Sequence, residues 1–221
     1  MKSLRMDQLD EYEQGEQVRK WLRQNGSSLI TGILLGLACV FGWQWWQGKT
    51  GQHQQEAATQ YLAYTDALEA KDEAKMKTFA AVIADKYGDT AYASLAVLRN
   101  AAYLQQNGKT ADAVKVLEAA VPKVSDPLLA EMFSLRLARL QLTDGKADAA
   151  LKRIDAIKTP AFPALTQELR GDVEAKLGHR DLARKAYEQA LTHLDQASPE
   201  RRLLEFKLID AGGQPPAQPE I

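Results

Sequence analysis

The sequence predicts an all-α protein, with a single N-terminal transmembrane helix followed by a stack of antiparallel helical hairpins. Three observations predict it. An apolar run from Leu29 to Trp46 contains no charged residue. The chain after it is rich in Ala, Leu, Lys, Glu and Gln and shows no strand-like alternation. Columns of small and apolar residues recur in register around three glycines, Gly108, Gly145 and Gly178. The organisation read from these is a cytoplasmic N-terminal tail over 1–28, a transmembrane helix over 29–46, an exported helical domain over 47–210 and a flexible Pro/Gly tail over 211–221.

The run is long enough to span a bilayer. At about 1.5 Å per helical residue, positions 29–46 cover about 27 Å of a hydrocarbon layer that is about 30 Å thick. Its Leu, Ile, Val and Phe residues together favour insertion by roughly 2 to 5 kcal/mol. Arg19, Lys20 and Arg23 precede it, whereas Lys49 alone follows closely, so the positive-inside rule keeps the N-terminus cytoplasmic and exports the rest. Trp43, Trp45 and Trp46 end the run as an aromatic belt, and Trp21 is placed at the inner interface. A cleaved signal peptide fits less well, because its apolar core is shorter and a small-x-small site follows it. Cys39, the only cysteine, reads as a buried apolar filler: a lipidation signal wants a bulky residue three positions earlier, where this chain has Gly36. Gly32 and Gly36, with Ala38 and Gly42, form small-residue faces on which another membrane helix can pack; frequent glycine in membrane helices is the alternative account.

The repeats define the exported domain. Five residues after each turn glycine comes an alanine (Ala113, Ala150, Ala183), and seven before it another small residue (Ala101, Ala138, Gly171). A large apolar residue follows each alanine by four (Leu117, Ile154, Tyr187), and Ala120, Ile157 and Ala190 complete the set. The alanine spacings, 150−113 = 37 and 183−150 = 33, bracket the period of about 34 of the tetratricopeptide repeat. Glycine closes the first helix of each hairpin in the left-handed region, and the small residues let the two helices touch. Pro122, Pro127, Pro160, Pro163 and Pro199 punctuate the ends of second helices. Residues 53–86 read as a degenerate first hairpin without a turn glycine. Ser198-Pro199-Glu200 reads as the start of a closing helix, with Ser198 as its cap.

No catalytic constellation is present in the sequence, and the chain is read as a non-enzyme that needs no cofactor. His53, His179 and His193 are isolated and lack metal-ligand spacing, and Glu168, Asp172 and Glu174 read as a solvated helix face. A net charge of −1 and no basic stripe leave no footprint for nucleic acid. Function then falls to surface. Counting from the turn glycines, the first helices place Leu95, Leu98, Ala102 and Gln105 on one concave face. Met132, Leu135, Arg139 and Leu142 follow, and then Leu165, Glu168, Asp172 and Ala175. This largely apolar groove reads either as a site for extended or partly folded polypeptide or as a seat for a helix of the same chain.

Gln17-Val-Arg-Lys-Trp-Leu-Arg-Gln-Asn-Gly26, Gly42-Trp43-Gln44-Trp45-Trp46, Leu135-Arg-Leu-Ala-Arg-Leu140, Ala149-Ala-Leu-Lys-Arg-Ile154 and Leu169-Arg-Gly171 together resemble the ancillary subunit of the bacterial Sec translocon. The resemblance implies an inner-membrane protein with its repeat domain in the periplasm. Its implied partners are the Sec translocon channel, a membrane-anchored periplasmic prolyl-isomerase-like chaperone, newly exported polypeptides and membrane lipid. The longer N-terminal tail and the Pro/Gly tail depart from the family pattern. A repeat lipoprotein of outer-membrane assembly, or a membrane-anchored scaffold without a chaperone role, would share the fold.

Overall fold

The structure, a computed structural model, describes residues 3–215. Among these it contains α-helices and one 3₁₀ turn and no strand. The helices are α1 (Ser3–Glu69), α2 (Glu73–Lys86), α3 (Ala91–Gln106), α4 (Thr110–Ala120), α5 (Pro127–Thr143), α6 (Ala147–Asp155), α7 (Pro163–Lys176), α8 (Arg180–Thr192) and α9 (Glu200–Asp210). The chain divides into two compact units, with the boundary between Glu56 and Ala57. The helical domain thus becomes compact ten residues after position 47, and residues 47–56 continue α1.

The first unit is helix throughout its described length. No proline occurs before Pro122, so nothing in the covalent chain interrupts α1. The residues read as a cytoplasmic tail are part of this helix from Ser3 onward. Ile30, Ile33, Leu34, Leu35, Leu37, Val40 and Phe41 are all exposed on it, as are Trp43, Trp45 and Trp46. Cys39 is exposed as well. Such a helix, with apolar residues on every side and nothing packed on them, has the surface of a membrane span. Its few polar groups bond inward: the Thr31 hydroxyl donates to the Ser27 carbonyl at 2.8 Å, and Thr50 to the Trp46 carbonyl at 3.0 Å.

The second unit is a run of hairpins: the end of α1 with α2, then α3 with α4, α5 with α6, α7 with α8, and α9 closing the array. The same turn joins each first helix to its partner. Gly108, Gly145 and Gly178 have φ of 73°, 79° and 85°. The N–H after each glycine donates to the carbonyl five residues back: Lys109 to Leu104 at 2.8 Å, Lys146 to Gln141 at 2.7 Å and His179 to Glu174 at 2.9 Å. The first hairpin uses the same bonds without a glycine. Lys71 takes φ 55°, and Asp72 N–H donates to Ala67 O at 2.9 Å. The side chain of Asp72 then accepts from Lys75 N–H and caps α2.

These turns bring the alanine columns into contact. Ala101, Ala113, Ala138, Ala150, Ala183 and Ala190 have no exposed surface, nor do Leu117 and Ile154. Ala101, Ala113 and Leu117 share a core cluster with Phe133, Leu137 and Leu140, and Ala138, Ala150 and Ile154 share one with Leu135, Leu169 and Val173. Each cluster draws on two successive hairpins, which is how the stack holds together. Polar links reinforce the joints: the Glu131 carboxylate on α5 accepts from Ala161 and Phe162 N–H at 2.8 and 3.0 Å and so caps the approach to α7.

At the C-terminal end α9 packs on α8, with Leu204 and Leu208 buried against Ala183, Tyr187, Ala190 and Leu191. Ser198 is not its cap. Pro199 holds that position, α9 starts at Glu200, and the Ser198 hydroxyl donates to the Glu200 carboxylate. Residues expected in the flexible tail finish the helix instead: Gly212 takes φ 86° and Gly213 N–H donates to Leu208 O at 2.9 Å, the fifth copy of the turn. The remainder of that tail, 216–221, lies outside the described residues.

Lys71 is exposed and left-handed, so its side chain gains no packing there while its Cβ is strained. Lys71→Gly is expected to stabilise the protein by about 0.5 to 1 kcal/mol, read as a raised melting temperature. A lowered one would show that the lysine makes a contact worth more than the strain.

Candidate interaction groove

The first helices of three successive hairpins, α3, α5 and α7, enclose an open groove of about 410 Å³. Their register is set by the turn glycines, which fix where each helix ends and so which side chains face the groove. Leu95 and Leu98 come from α3, Met132, Leu135 and Arg139 from α5, and Leu165 from α7, joined by Ala102 and Leu169. Leu135 and Leu169 form the buried floor, while Leu95, Met132 and Leu165 stand 43%, 44% and 38% exposed at the mouth. Leu142 is not with them. It packs against the cluster of Leu135, Ala138, Ala147 and Ala150 on the side of α5 that meets α6.

The counting missed two further arginines. Arg99 and Arg136 line the groove beside Arg139. Each lies one position off the counted face, but a long stem lays its charge over apolar surface. The Arg136 guanidinium donates to Gln105 Oε1 at 2.9 Å, so Gln105, expected at the end of its row, holds an arginine of the groove without lining it.

The third row is closed by the protein itself. Lys207 of α9 reaches Glu168 Oε1 at 2.7 Å and Asp172 Oδ1 at 2.8 Å. The Tyr187 hydroxyl donates to Asp172 at 3.0 Å. Burial, together with the Asp172 charge, pushes the Tyr187 phenol well above its ordinary range and keeps it a donor. Glu174 is buried, and His179 Nδ1 lies 2.8 Å from its carboxylate. The carboxylates expected on a solvated face are thus structural. Lys207, distant in sequence, supplied no signal for this.

Gly32, Gly36 and Gly42 belong to the other unit. A Cβ built at any of the three meets nothing within 4 Å, so this small-residue face is open. Beyond it, the Trp43 and Trp46 rings lie 5.5 Å apart and Lys49 Nζ sits 4.2 Å over the Trp45 ring.

Hairpins closed by left-handed turns, interlocked by buried alanines and offering a groove on their first helices, define a tetratricopeptide repeat-like protein that also carries one membrane-anchor-type helix. The family pattern described as a tetratricopeptide repeat-like domain matches residues 19–213. The chain is similar to the protein named Ancillary SecYEG translocon subunit from Escherichia coli strain K12, with 33% identity over 81% of this chain and 86% of that one. Proteins of the same name from Haemophilus influenzae and Neisseria gonorrhoeae are 27% and 25% identical, over 82% and 90% of this chain and 89% and 96% of theirs. The chain belongs to the family of ancillary SecYEG translocon subunits.

Gly171 is where the α7–α8 contact is closest, since a Cβ there would overlap the Tyr187 ring. The ring is buried and bonded to Asp172, so it has little room to swing away. Gly171→Ala is expected to cost about 1 kcal/mol net, overpacking of about 1 to 3 outweighing a helix-propensity gain of about 1. Thermal denaturation would reveal it, and an unchanged melting temperature would mean that the ring moves aside.

Proposed function

We propose that this chain is an inner-membrane protein that works beside the Sec channel as a protein-interaction module, with no catalytic role of its own. Its α1 run anchors it with the N-terminus in the cytoplasm and the repeat domain in the periplasm. Its groove engages apolar segments of newly translocated polypeptides or of a membrane-anchored prolyl-isomerase-like chaperone to which they pass. The glycine face of α1 is the natural contact for a neighbouring membrane helix, and lipid surrounds the rest of the run.

One observation carries this reading: a groove whose mouth exposes Leu95, Met132 and Leu165 on a rigid three-helix wall. A soluble monomer gains nothing from keeping three such side chains in water, whereas a partner that covers them removes apolar area at about 25 cal/mol per Å². Anchoring adds to this. Confinement beside a channel raises the effective concentration of emerging chains, so weak contacts suffice.

Three outcomes are expected. Protease added to spheroplasts should digest the region after Trp46, and its protection would reverse the topology. Photocrosslinkers placed at Leu95 and Met132 in living cells should give adducts with a partner or exported chains. Leu95→Asp and Met132→Asp should reduce capture roughly tenfold or more without changing the melting temperature. Both positions are exposed, so folding should survive; folded variants that crosslink and bind as before would move the site elsewhere.

A further inference from the structure

The arginines of the groove mark the chemistry of its occupant. Arg99, Arg136 and Arg139 line it together, and no acidic residue does. Among the described residues none of the three has a carboxylate within ion-pair distance. The nearest carboxylates of the third row, Glu168 and Asp172, are held by Lys207 and Tyr187 and turned to the protein's own use. Three other arginines of the same domain do have carboxylate partners: Arg170 with Asp155 at 2.7 Å, Arg184 with Asp181 at 3.3 Å and Arg201 with Glu205 at 3.0 Å. Three arginines without carboxylate partners, Arg136 already bonded to Gln105 Oε1, thus stand together at the edge of an apolar floor.

We infer that the groove selects an acidic-apolar polypeptide segment, one in which Asp or Glu side chains alternate with Leu, Ile, Val or Phe. This rests on the groove reading above and names its ligand class. The apolar side chains of the segment occupy the space over Leu135 and Leu169, between Leu95, Met132 and Leu165. Its carboxylates meet the guanidinium groups, whose planar donor forks match them in two-pronged hydrogen bonds. The apolar floor excludes water and lowers the local dielectric, so these pairs are stronger than they would be on an open surface. Charge also sets what is refused: a segment carrying lysine among the same apolar residues brings like charge to three arginines.

The test uses the full chain in detergent micelles and three fluorescent peptides with capped ends and one shared Leu/Phe pattern. Their polar positions carry Glu, Gln or Lys. Fluorescence anisotropy is expected to show the Glu peptide binding roughly tenfold tighter than the Gln peptide, the Lys peptide weakest, and the difference shrinking at high salt. Arg99→Gln with Arg139→Gln should bring the Glu peptide down to the affinity of the Gln peptide and leave the latter unchanged. Should the double variant melt early, Arg99→Gln alone serves, since Arg99 is exposed, and it should remove part of the preference. Equal affinity of the wild type for all three peptides, or a Glu preference undiminished in the variants, would overturn the inference. The groove reading fails separately, if Leu95→Asp leaves binding of the Gln peptide untouched.

Discussion

Everything in the compact unit depends on one backbone event, a single residue placed in the left-handed region at the end of a helix. Five times the chain does this, at Lys71, Gly108, Gly145, Gly178 and Gly212, and five times the following N–H returns to the carbonyl five residues back. The event satisfies carbonyls that a helix end leaves bare and reverses the chain within two residues. Because the same turn recurs, the small residues before and after each turn glycine are buried together in the α3–α4 and α5–α6 hairpins. A side chain larger than methyl at Ala101 or Ala113 would hold the helices apart and spoil the cluster with Phe133 and Leu137.

The groove is a by-product of that regularity. Second helices sit behind, first helices face forward, and side chains that α3, α5 and α7 would otherwise bury in one another are left at the mouth. Closure at the C-terminal end follows from α9, whose Leu204 and Leu208 cover the exposed flank of α8 while Lys207 reaches over to α7. Lys207 thereby neutralises the carboxylates of the third row, while the arginines of the groove all come from α3 and α5.

Much of this was legible in the residues because its causes are local. A glycine before a small-residue column signals a left-handed turn and a close helix contact, and both need nothing beyond neighbouring positions. The misreadings share a different origin. Lys71 performs the turn without glycine, and a lysine carries no mark of its φ. Glu168 and Asp172 took their partner from 39 and 35 residues away, beyond any helical spacing. Leu142 was assigned by counting along one face of α5 but packs with the α6 alanines, and Arg99 and Arg136 reach the groove by length rather than register. The Ser198 cap failed because α9 starts one residue later than the Ser-Pro-Glu reading placed it, with Pro199 at the N-cap.

The contacts among the helices have a consequence for the order in which the domain comes into being. Each packs chiefly against those beside it in sequence, α3 with α4, α5 with α6, α7 with α8, α8 with α9, and among the described residues the extensive contacts all join helices near one another in the chain. A chain wired this way has no final long-range closure to wait for. Delivered N-terminus first, it can condense one hairpin at a time, each new pair of helices docking on a finished surface. Only the newest edge is ever left bare, until α9 arrives to cover it.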